Sequence, residues 1–76
     1  MARIRRIEKG TQTVSVHPSE VDCFYQVVVG EDGETYLHLS TFGSDDRQSK
    51  PKSSQSLQLS KSVADELVAV IQATFV

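Results

Sequence analysis

Gly30-Glu-Asp-Gly33 lies between two runs of strand-forming residues, and this limits the fold more than any other feature of the sequence. Asp32-Gly33 is a strong hairpin signal, because glycine adopts the positive φ that tight two-strand turns require. The run before it, Val21 to Val29, must therefore fold back antiparallel onto the run after it, Thr35 to Phe42. The first of these contains Cys23-Phe-Tyr-Gln-Val-Val-Val, apolar on both faces, which reads as a central strand. In the second, Leu37 and Leu39 share one face with Thr41, while Tyr36, His38, Ser40 and Phe42 take the other.

Outward from the hairpin, Thr11 to His17 alternates strand-forming residues and stops at Pro18-Ser19, so it reads as a first strand. Gly43 to Ser54 is polar, with basic residues in its second half, and reads as a flexible loop. A short fourth strand follows over Gln55 to Leu59, with Leu57 and Leu59 inward and Ser56 and Gln58 outward. Ser60 can cap a helix running from Lys61 to about Phe75, a stretch without Gly or Pro. Val63, Leu67, Val70, Ile71 and Thr74 form its apolar stripe, widened by Ala64, Val68 and Phe75. The expected fold class is α+β: a four-stranded antiparallel curved sheet followed by one C-terminal helix, in a single domain spanning residues 1–76.

With 76 residues, 38% of them hydrophobic, the chain can build only one thin core. So broad a helix stripe exceeds what one small sheet covers, which points to a homodimer with Leu67, Val70, Ile71 and Phe75 in its interface. One cysteine, Cys23, leaves no internal disulfide framework, and with only His17 and His38 beside it no four-ligand zinc site is expected. No run approaches the roughly 20 apolar residues that span a bilayer, and the first residues lack the apolar stretch of a secretory signal. The expected setting is cytoplasmic, without membrane attachment.

The net charge of −2 conceals a blocked distribution. Arg3, Arg5, Arg6 and Lys9 make residues 1–10 a basic arm, and Arg47, Lys50 and Lys52 make residues 43–54 a basic loop. Acidic residues Glu20, Asp22, Glu31, Asp32 and Glu34 separate the two, and Asp45 and Asp46 stand in the first half of the loop itself. Small polar neighbours around Arg47, Lys50 and Lys52 let a backbone approach while the cations meet phosphate, or else make the loop merely soluble. Arg3, Arg5, Arg6 and Lys9, with Arg5 and Arg6 foremost, read either as phosphate contacts or as a solvated terminus. Tyr36, His38 and Phe42 offer a face on which bases can stack, or else a sheet cover or dimer contact; Tyr25 belongs to either face until the register is known. No Gly-rich phosphate loop, catalytic triad or metal-ligand spacing occurs, so neither an enzyme nor a cofactor or metal is expected.

The order of these elements resembles the positive-cofactor-four-like transcriptional coactivators, a single-stranded DNA-binding family. The resemblance covers Tyr36 to Phe75, through Leu37-His-Leu39, Lys50-Pro-Lys52, Leu57-Gln-Leu59, the cap Ser60, and Leu67. It implies dimerisation through helices and sheets, with a nucleic-acid groove on the opposite sheet face. Lys50 and Lys52 would then contact the nucleic-acid backbone, and Tyr36, His38 and Phe42 would line the sheet. Three features depart from that pattern: no glycine precedes the fourth strand in the Lys-rich loop, the helix lacks an early Trp, and Asp45-Asp46 bring negative charge. Ser40-Thr-Phe-Gly-Ser-Asp-Asp-Arg-Gln-Ser-Lys50 is also similar to small bacterial proteins labelled methionyl-tRNA formyltransferase-like, although no folate site or formyl-transfer constellation is visible. The expected function is non-enzymatic binding of single-stranded DNA or RNA, as a transcription or DNA-maintenance accessory protein. The alternative is a dimeric protein-interaction module without nucleic-acid affinity.

Overall fold

The computed structural model describes residues 1–42 and 53–76. Its elements are β1 (Ala2–Arg3), β2 (Cys23–Val29), β3 (Thr35–Phe42), β4 (Ser53–Leu59) and α1 (Lys61–Thr74). The strands form one sheet in the order β1-β4-β3-β2, giving an α+β fold. The hairpin forms as its turn chemistry requires: Gly33 has φ +80°, Gly33 N donates to Gly30 O at 3.0 Å, and Gly30 N donates to Glu34 O at 2.8 Å. The Asp32 carboxylate accepts from Glu34 N at 2.9 Å, bracing the turn from inside.

The sheet departs from the sequence reading in four places. Thr11 to His17 forms no strand; residues 11–22 lie outside regular structure and are all exposed. Strand propensity measures packing against neighbours, and Val14 and Val16, both solvent-exposed, find no such packing. The sheet's outer strand beyond β4 is Ala2–Arg3 instead, and it pairs parallel with Leu57–Gln58, so the sheet is mixed rather than antiparallel throughout. That pairing continues through Ile4 N, which donates to Gln58 O at 2.9 Å. The basic arm is thus tied to the sheet, with Ile4 and Ile7 half-buried between exposed arginines.

Strand β4 begins at Ser53, two residues inside the segment read as loop. The last difference concerns β2, whose sequence reads as a central strand: it lies at the edge, paired only with β3 among the described residues.

Strand pairing sorts the side chains onto two faces. Leu37 opposes Val27 and Leu59, and Leu39 opposes Tyr25 and Leu57, so these residues share the leucine face with Cys23, Val29 and Ala2. The first turns of α1 meet one end of this face, where Leu59 and Val63 are 3% and 4% exposed. A groove lined by Val27, Leu37, Leu59 and Ala64 marks that junction. These two residues are the only buried hydrophobic ones among those described.

Along α1 burial fades from Val63 through half-buried Ala64 and Leu67 to exposed Val68, Val70, Ile71 and Phe75. Ser60 occupies the cap position, but its hydroxyl makes no cap bond and lies 3.3 Å from that of Ser62. The chain exposes 7196 Å², against roughly 4,600 Å² for a compact 8.4 kDa monomer. Among the described residues, exposed residues 11–22, the uncovered β2 and the far half of α1 all contribute to this surface.

Candidate nucleic-acid interface

The face opposite the leucines carries a polar row that runs across the strands. Arg3 pairs with Gln58, Gln58 with His38, and His38 with Gln26, so one side chain from each of the four strands falls in line. Alternation within each strand makes this possible, because residues paired across a ladder point to the same face. Gln58 Nε2 and His38 Nδ1 are 3.1 Å apart, which joins the middle of the row by a hydrogen bond. Both residues are half-buried, so they are held in place yet remain reachable.

Tyr36 and Val28 oppose each other on one side of the row; Ser56, Ser40 and Phe24 line up on the other. The Arg3 guanidinium lies 5.6 Å from the centre of the Tyr36 ring, and Arg3 Nη1 is 3.5 Å from the Tyr36 hydroxyl. The same hydroxyl donates to Asp32 Oδ2 at 3.2 Å, so the hairpin turn, β3 and β1 meet at one phenol. An arginine held over an aromatic ring keeps its charge on the surface while its planar face is already stacked. At the far end Phe24 and Phe42 pack edge to face, with centroids 5.1 Å apart and planes at 68°. A shallow groove of about 390 Å³ runs between Met1, Ala2, Arg3, His38, Ser56 and Gln58.

Tyr36 and His38 share one face by the alternation in β3, and Phe42, beyond a register shift in the β3–β4 ladder, reaches the same face through its ring contact with Phe24. Tyr25 falls on the leucine face, and Phe24 joins the aromatic set in its place. Arg5 and Arg6 are exposed on the arm beyond β1, and Arg6 Nε faces Glu8 Oε1 at 3.6 Å. Arg47, Lys50 and Lys52 lie outside the described residues.

Of the polar row, sequence reasoning names Arg3 only as part of the basic arm and Gln58 only as outward-facing, and it passes over Gln26; none of them is joined to His38. Their signal was parity alone, and parity becomes informative only when the register between strands is known. Of the residues expected in a dimer interface, Leu67 is half-buried, Val70 and Ile71 are about half exposed, and Phe75 is 81% exposed. Val70 also shares a groove with Ile7 and Lys9 of the arm.

Among the described residues no group of three or more His, Cys, Asp or Glu side chains is arranged to hold a metal ion. No helix among them is long and apolar enough to cross a membrane. No family model, curated protein or solved structure matches the chain.

Proposed function

We propose that the protein is a non-enzymatic module, acting as one subunit of a homodimer, that binds single-stranded nucleic acid across the polar sheet face. The observation that carries this reading is the row Arg3, Gln58, His38, Gln26, flanked by Tyr36 on one side and by Phe24 and Phe42 on the other. Arg3 supplies a phosphate contact, the amides and imidazole supply donors and acceptors for base edges, and the aromatic rings offer stacking surfaces. An extended strand laid along such a face meets stacking and hydrogen-bonding groups in alternation, with little demand on sequence. Arg47, Lys50 and Lys52, which lie outside the described residues, would add backbone contacts, and so would Arg5 and Arg6 of the arm. The cytoplasmic setting expected from the sequence belongs to the same proposal.

Fluorescence anisotropy with labelled single-stranded and duplex oligonucleotides, across a salt series, tests it. Binding should prefer the single strand and fall with salt, because each neutralised phosphate releases counterions. Arg3→Ala should lower the slope of log affinity against log salt by about 0.7, the value for one phosphate contact on a single strand. Lys50→Ala with Lys52→Ala should lower it by about twice that. Absence of binding at low salt would discard the function and leave the protein-interaction reading, which is favoured by the bare apolar surface of β2.

A further inference from the structure

Seven residues of β2, Cys23-Phe-Tyr-Gln-Val-Val-Val29, form an open sheet edge among the described residues, yet they carry no charge and no proline. The β2–β3 register also runs without a bulge. Isolated edge strands ordinarily carry at least one of these devices, because an undefended edge is a template for another strand. We infer that the outer edge of β2 pairs antiparallel with β2 of a second copy, joining two four-stranded sheets into one of eight strands. This deepens the homodimer part of the function proposed above and rests on it, but it stands independently of nucleic-acid binding.

The hydrogen-bond parity shows which groups are available. Gly30 N donates to Glu34 O and Phe42 N donates to Asp22 O, at the two ends of the β2–β3 ladder. In an antiparallel ladder, bonded pairs alternate with unbonded ones, so the even-numbered residues of β2 face β3. The N–H and C=O groups of Cys23, Tyr25, Val27 and Val29 therefore point outward.

One register pairs all seven residues, with the two-fold axis passing beside Gln26. It sets Cys23 against Val29 of the partner subunit, Phe24 against Val28 of the partner subunit, and Tyr25 against Val27 of the partner subunit. The outward-pointing residues then fall opposite one another and exchange eight backbone hydrogen bonds across the axis. Aromatic rings meet β-branched side chains on both faces, a favourable cross-strand combination, and the central Gln26 side chains can bond to each other.

This register also extends the polar face. Arg3, Gln58, His38 and Gln26 continue directly into Gln26, His38, Gln58 and Arg3 of the partner subunit, so one row crosses all eight strands. Tyr25, Val27 and Val29, between 67% and 73% exposed in the single chain, gain neighbours on the leucine face. Phe24, Tyr25, Val27, Val28 and Val29 are each between 37% and 73% exposed, so β2 keeps apolar surface for a second copy to cover. Acidic residues flank β2 at both ends, with Glu20 and Asp22 before it and Glu31 and Asp32 after it. The antiparallel arrangement brings these ends together, so salt should strengthen self-pairing while it weakens nucleic-acid binding.

The test combines native mass with a site-specific cross-link. Light scattering should give about 17 kDa, twice the chain mass. In a Cys23→Ser background, Gln26→Cys should form a covalent dimer when oxidised with diamide, because unbonded antiparallel pairs bring Cα atoms within disulfide reach. The native Cys23 should not cross-link, since the register separates the two copies of it by about 20 Å along the strands. Val27→Pro should convert the dimer to a monomer that keeps its circular dichroism, since the lost N–H points outward and has no role within the chain. A monomeric wild type would overturn both the homodimer and the edge pairing. A dimer that resists Val27→Pro and leaves Gln26→Cys unlinked would overturn the edge pairing alone.

Discussion

Replacing Leu59 by alanine tests where the core of this small domain sits. Leu59 is 3% exposed; it lies opposite Leu37 and ends β4 just before the helix that supplies the equally buried Val63. Removal of a buried leucine side chain costs about 2–5 kcal/mol, and the value depends on how far the site can relax. The groove beside Leu59, bounded by Val27, Leu37 and Ala64, lets neighbours settle and water enter, which favours the lower half, about 2–3 kcal/mol.

A 76-residue domain has a total stability of only about 4–11 kcal/mol, so this loss is a large fraction of it. At about 4–8 °C per kcal/mol, the melting temperature should fall by about 8–24 °C. The control is Leu57→Ala, on the same face of the same strand but 37% exposed, with an expected cost of about 1–2 kcal/mol. Urea unfolding followed by circular dichroism, at one fixed protein concentration, gives both numbers. If Leu59→Ala costs less than about 1 kcal/mol, or less than Leu57→Ala, the helix junction is not the core and the reasoning fails.

Other predictions follow from single contacts. Gly33→Ala should destabilise the hairpin by about 1–2 kcal/mol, because φ +80° disfavours any side chain even though nothing lies within 4 Å of the added methyl; an unchanged urea midpoint would refute the turn geometry. Asp32→Ala removes both the bond from Glu34 N and that from the Tyr36 hydroxyl, and should cost about 1 kcal/mol in the same assay. The hydrogen bond to Asp65 raises the pKa of Lys61, with the carboxylate's charge adding to the shift. A raised folded-state value means any stabilisation is complete below the lysine's ordinary range and lost as pH rises through the folded value. Lys61→Ala should therefore leave the pH dependence of stability near neutrality unchanged; a change between pH 6 and 8 would contradict the assignment.

Local chemistry made the hairpin and the helix legible in advance. Asp32-Gly33 dictates a turn, β3 alternates regularly from Thr35 to Thr41 before the register shift at Phe42, and α1 starts after Ser60 because Lys61 to Thr74 is free of breakers. The placement of Tyr36 and His38 on one face follows from the same period of two. Registers between strands distant in sequence were not legible, since they depend on which apolar contacts win across the whole sheet. Thr11 to His17 has the strand propensity, yet Ala2–Arg3 takes the place beside β4, with Ile4 and Ile7 half-buried behind it.

The turn, the alternation and the helix each arise from interactions within a few residues, so they are written in the local order of side chains. The row Arg3, Gln58, His38 and Gln26 depends on tertiary structure, as does the place of β2, which reads as an interior strand yet lies at the sheet edge among the described residues. Strand order is a competition among non-local pairings, and short-range propensity carries no information about its outcome.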